Sequence, residues 1–287
     1  MEIKSTNKDI SPLIQLLDDP DKEISRHVED KLLSYGNTIV KQLEYAWEQT
    51  IDTFLQNRIE EIIHKIQFQN TQKELERWIQ NQSFDLLHGL LTINKYQYPD
   101  LDEQKVINQI ETIKRDIWMQ MIYEMRPLEK VKLINHTFYN TYGFSGNTSN
   151  HKDPQNSYLN KVLETKKGNQ ISLAVIYAII AQKLDIPIFG VNLPQHFILA
   201  YIDEDQKNTS NNGILFYINA FNKGFIFGRD EVDSFLRQLG VEPDEKFYSP
   251  CSNIEIIKRV IRNLISAYQE TQSQQKIAEL NQLLDLF

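Results

Sequence analysis

Ile171-Ser172-Leu173-Ala174-Val175-Ile176-Tyr177-Ala178-Ile179-Ile180-Ala181-Gln182-Lys183-Leu184 is apolar on nearly every side until Gln182, and Asp185-Ile186-Pro187 ends it. A helix that is apolar all round is a buried helix, so this stretch reads as the centre of a core, with Ser172 near its N-terminus. Beyond Pro187 the period of the pattern falls from about 3.6 to about 2. Residues 188–193 and 197–202 read as strands, separated by Pro194-Gln195-His196. A polar loop over 203–213 follows, then a third strand over 214–221, a tight turn at Asn222-Lys223-Gly224 and a fourth strand over 225–227. A buried helix on an antiparallel sheet, in a chain that is otherwise helical, gives an α+β fold.

The hairpin register carries the first functional expectation. If the 203–213 loop closes symmetrically, Tyr201 faces Ile214, Leu199 faces Phe216 and His196 lies opposite Asn219. Cross-strand partners share a face, with Cβ atoms roughly 5 Å apart. A His–Asn pair on a sheet, facing the start of a helix that carries a hydroxyl, has the form of a nucleophile, a base and an orienter.

Working back from the core, residues 9–139 read as successive amphipathic helices. Ser11-Pro12 opens the first, and Asp18-Asp19-Pro20-Asp21 breaks it. Ile24, Val28, Leu32 and Leu33 stripe a second helix. Ile39, Leu43, Ala46 and Trp47 stripe a third, and Phe54 through Ile66 a fourth. Val28-Glu29-Asp30-Lys31-Leu32 aligns with Ile59-Glu60-Glu61-Ile62-Ile63. Helix pairs recurring at roughly 30–47 residues suggest a HEAT-like stack, and a generic helical bundle accounts for the same pattern. Leu75 to Leu91 continues the helices, and Val106 to Ile122 reads as one long helix reaching toward Arg126-Pro127. Leu128 to Tyr139 is one more, and aromatic and Met positions on these helices read as core.

After Tyr139 come five blocks in order: Tyr142-Gly143-Phe144-x-Gly146-Asn147, Asp153-Pro154-x-Asn156-Ser157-x-Leu159, Gly168-x-x-Ile171-Ser172-Leu173, Leu193-Pro194-x-His196-Phe197 and Asn219-x-Phe221-x-x-Gly224. Together they resemble the papain-type core of the transglutaminase-like superfamily. The likeness is to its bacterial regulatory-associated branch, which also occurs in animals fused to an F-box. Arg259-Val260-Ile261-Arg262-Asn263-Leu264 is similar to the helical continuation of that branch. The helical pattern gives an N-terminal domain over 1–138, and the resemblance implies a transglutaminase-like core over 139–250 and a C-terminal helical segment over 251–287. Active enzymes of this superfamily use a Cys, a His and an Asp. By resemblance those places fall on Ser172, His196 and Asn219. Ser is usual for the branch at the first place. Asn219 departs from the branch's Asp, and Gln170 and Gln195 stand where Pro and Gly are common.

Composition bounds the rest. The chain has 287 residues, 41% hydrophobic and 24% charged, as in an ordinary soluble globular protein. A net charge of −8 argues against a dominant nucleic-acid role, since phosphate binding needs a cationic surface. The single cysteine, Cys251, forms no internal disulfide and lies outside every matched block. No apolar leader or spanning run is visible, so the cytoplasm is the expected address and no membrane is expected as a partner. On that view the sequons at Asn81, Asn135, Asn147 and Asn208 are chance matches. No metal or cofactor is expected, because no ligand-spaced cluster and no phosphate loop occurs. His151 reads as a solvated loop residue.

Two functional readings stand. One is a non-catalytic scaffold whose retired cleft binds an unidentified protein or peptide partner in a regulatory role. The other is a serine hydrolase or acyltransferase using Ser172-His196-Asn219. On the first, Ser172 is a helix N-cap and His196 a structural histidine held by Asn219.

Overall fold

Short polar side chains and prolines open the helices at the positions the pattern requires. Pro12 lies in the first turn of α1 (Ser11–Gln15), and Asp21 accepts the Glu23 N–H at 2.8 Å to open α2 (Lys22–Tyr35). A turn leads to α3 (Val40–Gln49) and then to α4 (Thr53–Arg77), a single helix of 25 residues. The computed structural model describes residues 9–203 and 213–287. The polar loop expected over 203–213, with Asn208, falls mostly outside them. The chain divides into two compact units, residues 1–76 and 77–287. In the first, Val28 and Leu32 share one apolar cluster with Ile59 and Ile62, so both halves of the internal match face the same core.

The second unit begins with α5 (Leu86–Gln97), α6 (Glu103–Trp118) and α7 (Pro127–Asn135), opened by Asp85, Asp102 and Pro127. Two short strands, β1 (Ser145–Gly146) and β2 (Lys167–Gly168), pair in parallel around α8 (Leu159–Thr165). They lead into α9 (Gln170–Gln182), in which every residue from Ile171 to Ala181 is buried. The sheet has the order β3 (Ile188–Leu193), β4 (His196–Ile202), β5 (Ile214–Asn219), β6 (Phe225–Phe227), antiparallel throughout. Then come α10 (Arg229–Gln238), α11 (Asn253–Glu270) and α12 (Gln274–Leu284).

The expected division at 138 does not coincide with the one between the units. α6 packs on α9 and α5 packs on α11, all within residues 77–287. The reason lies in α9 itself: a helix apolar on all sides needs more than one sheet face to cover it. α6, α8 and α11 supply the remaining walls.

Two expectations are corrected. The helix expected to reach Ile122 stops at Trp118. The N–H groups of Gln120 and Met121 then bond to carbonyls three residues back, at 3.0 and 3.1 Å, and the following Pro127 disfavours helix at Arg126. Ile113 and Ile117 stay buried, whereas Trp118, Met119, Ile122 and Tyr123 are exposed and are not core. The β4–β5 register also differs. Leu199 pairs with Ile218 and Tyr201 with Phe216, and only after an irregularity between Tyr201 and Ile202 does Ile202 face Ile214. The loop does not close symmetrically, and the irregularity absorbs a residue. The resulting offset of two residues preserves which face each side chain occupies. His196 and Asn219 therefore become diagonal neighbours instead of opposed ones.

Candidate functional site

The start of α9 is held by a set of asparagines, of which Asn147 and Asn156 belong to the quoted blocks. Asn147 Nδ2 donates to Asn156 Oδ1 at 2.9 Å, and Asn156 Nδ2 donates to the Asn150 carbonyl at 2.7 Å. Asn169 Nδ2 donates to Ser157 Oγ at 2.8 Å. The polar 147–157 loop is thereby tied to the residue that caps α9. A cavity of about 260 Å³ beside this tie is lined by His151, Ser157, Asn169 and Asn263, among others, but not by Ser172, His196 or Asn219. Lys152 and Glu270 meet across its rim at 2.7 Å. His151, expected in solvent, is exposed.

The N-cap of α9 is Asn169, not Ser172. Asn169 Oδ1 accepts the Ser172 N–H at 2.9 Å, and Ser172 Oγ accepts the Asn169 N–H at 3.0 Å. This reciprocal pair satisfies two donors that the first helical turn would otherwise leave open. Ser172 Oγ also donates to the Asn169 carbonyl at 3.3 Å. The hydroxyl is buried, and Gly168 makes room for it: a Cβ at 168 would lie 2.5 Å from the oxygen. Among the described residues no hydrogen bond joins Ser172 to His196 or Asn219.

His196 and Asn219 do meet. Their facing nitrogens, His196 Nε2 and Asn219 Nδ2, lie 3.2 Å apart. Which end of the amide faces the ring follows from its other contact. Asn219 Oδ1 accepts the backbone N–H of Asn222 at 3.1 Å, and a backbone N–H can only donate. The amide NH₂ therefore faces the imidazole and donates to Nε2. In the neutral ring the hydrogen then sits on Nδ1. Asn219 is doubly placed, since the turn it closes runs to Gly224, whose φ of +70° is left-handed and whose N–H bonds back to the Asn219 carbonyl at 2.9 Å. Asn135 holds that turn by donating to the Gly224 carbonyl at 2.9 Å, and it accepts the Tyr177 hydroxyl of α9 at 2.9 Å.

His196 shares a sheet face with Ile198 and Ala200, which α10 covers, and its ring lies 5.7 Å from that of Phe235. Burial, and then the Arg259 guanidinium, pull the imidazole below its usual pKa, so the ring resists protonation. Cys251 Sγ rests 3.4 Å from the Gly190 carbonyl, and burial lifts the thiol to about 12, which makes it inert at neutral pH. Among the described residues no group of three His, Cys, Asp or Glu side chains is disposed to hold a metal, and no helix is long and apolar enough to cross a membrane.

Neither Asn169 as the cap nor Arg259 as a neighbour of the histidine was expected from the sequence. Asn169 had a signal, a short polar side chain three residues before Ser172 at a helix start. Arg259 had none, because its place depends on how α11 crosses the end of β3.

Comparison with known proteins agrees with the blocks. The family model described as transglutaminase-like superfamily matches residues 104–262, which include Ser172, His196 and Asn219. A UPF0162 protein of Xylella fastidiosa (strain 9a5c) is 32% identical over 203 residues, 67% of this chain and 68% of its own length. F-box only protein 21 of Mus musculus is 27% identical over 154 residues, 54% of this chain and 24% of that protein. A UPF0162 protein of Vibrio cholerae is 24% identical over 154 residues, 54% of each. No solved structure matches.

Proposed function

We propose that this chain, which belongs to the transglutaminase-like superfamily, is a non-catalytic member that serves as a regulatory module binding a protein or peptide. The observation that carries the reading is the direction of the Asn219–His196 hydrogen bond. A catalytic imidazole needs an orienter that accepts its N–H, leaving the other nitrogen bare to take the nucleophile's proton. Here the orienter donates, so Nδ1 carries the hydrogen and the base is blocked. In a serine triad, an asparagine that fixes the wrong tautomer costs about 10⁴ in kcat.

Two further features support it. The Ser172 hydroxyl is committed to Asn169 and lacks the imidazole contact that would activate it. An alcohol also gains far less from a helix start than a thiol, whose reference pKa is about 8.5.

The reading is tested by putting a thiol back. Ser172→Cys is made in a Cys251→Ser background and labelled with an iodoacetamide probe near neutral pH. Labelling no faster than that of an ordinary thiol is expected. Fast labelling that His196→Ala suppresses would show an intact activating device and would count against the proposal.

A further inference from the structure

Arg259 is a half-buried cation that has no carboxylate partner among the described residues. Its Nη1 donates to Asn192 Oδ1 at 3.1 Å and to the Leu193 carbonyl at 3.4 Å, both neutral acceptors. Among the described residues its Nε and Nη2 make no hydrogen bond and no carboxylate pairs with it. Arg262 stands three residues on along α11, also without an acidic partner among the described residues, and it repels Arg259. The nearby acid, Glu255, is taken by Lys258 at 2.8 Å. The nearby thiol, Cys251, stays neutral. Leu193, whose carbonyl holds the guanidinium, is the register partner of His196, so this cation sits at the hairpin that carries the retired base.

A half-buried charge without a counter-charge is electrostatically unsatisfied, and a guanidinium fork with open N–H groups is the standard receptor for a planar anion. We infer that Arg259, with Arg262 beside it, is a carboxylate-binding subsite at the β3–β4 hairpin. On the reading of the chain as a peptide-binding module, its ligand is an acidic side chain or chain terminus of the bound peptide. Asn192 and the Leu193 carbonyl hold one edge of the guanidinium, and the other edge presents parallel donors. A bound carboxylate supplies the negative charge that neither Glu255 nor Cys251 gives.

The experiment titrates acetate into the full chain and follows the Arg259 Nε–H and His196 ring signals by ¹⁵N NMR. Chloride serves as the control for ionic strength. The inference expects saturable acetate shifts at Arg259 that chloride does not reproduce and that Arg259→Met abolishes. His196 should gain basicity both in Arg259→Met and on acetate binding. Arg259→Lys, which keeps the charge but loses the fork, should weaken acetate by about tenfold. Equal responses to acetate and chloride, or no acetate response in a folded wild-type chain, would overturn it. Inorganic phosphate saturating at lower concentration than acetate would overturn the choice of carboxylate. These readouts do not involve turnover, so a chain found to be catalytic could still pass them, and an inert chain could still fail.

Discussion

Replacing Asn219 by Asp isolates the feature on which the functional reading rests. The substitution changes one donor into one acceptor with almost no change of shape. One carboxylate oxygen keeps the Asn222 N–H, now at 3.1 Å, and the other meets His196 Nε2 across the present 3.2 Å. The ring must then place its hydrogen on Nε2, which frees Nδ1. A carboxylate this close raises an imidazole pKa by about 1–3 units. At about 1.4 kcal/mol per unit, that is roughly 1.4–4 kcal/mol in favour of the imidazolium. The shift works against burial and Arg259, which now hold the ring below its usual value. Histidine ¹⁵N shifts distinguish the two tautomers directly, and a pH titration gives the shift. The expected result is an Nδ1–H ring in the wild type and an Nε2–H ring with a raised pKa in Asn219→Asp. A wild-type ring already carrying its hydrogen on Nε2, or a variant shift below about half a unit, would show that Asn219 does not set the tautomer.

Two other predictions follow from the same geometry and from the fold. Because the folded His196 pKa is depressed, the unfolded chain protonates first as pH falls. The penalty is absent above about 6.5, grows as pH drops from there through the folded value, and is complete below it. Urea midpoints between pH 7.5 and 5 should therefore fall more steeply for the wild type than for His196→Gln, and parallel curves would show the ring to be unperturbed. Truncation of buried Ile117 to Ala should cost about 2–5 kcal/mol, whereas exposed Ile122→Glu should stay within about 0.5 kcal/mol. A large loss from Ile122→Glu in the same urea assay would mean that α6 continues past Trp118.

The α9 helix and the four strands were legible because their patterns are extreme. Ile171–Ala181 is apolar all round, and 188–227 alternates between turn signals at Pro187, Pro194 and Gly224. The end of α6 was not legible, since Met121 and Ile122 extend the apolar stripe of Ile113 and Ile117 and only the change of backbone bonding at Gln120 stops it. The hairpin register depended on the 203–213 loop, whose polar residues carry no pairing information, and an irregularity at Tyr201/Ile202 moved it by two. Contact between His196 and Asn219 survived because an even shift keeps both side chains on one face. The direction of their hydrogen bond could not be read from sequence. It is set by the Asn222 N–H, which reaches the Asn219 oxygen only once the turn to Gly224 has formed.

Turnover decides whether Ser172, His196 and Asn219 form a catalytic set. The purified wild-type chain and Ser172→Ala are compared on a panel of activated esters and peptide amides near neutral pH. The two proteins should be indistinguishable from each other and from buffer on every substrate. Sustained hydrolysis or acyl transfer by the wild type that Ser172→Ala abolishes, with the fold intact, would contradict it.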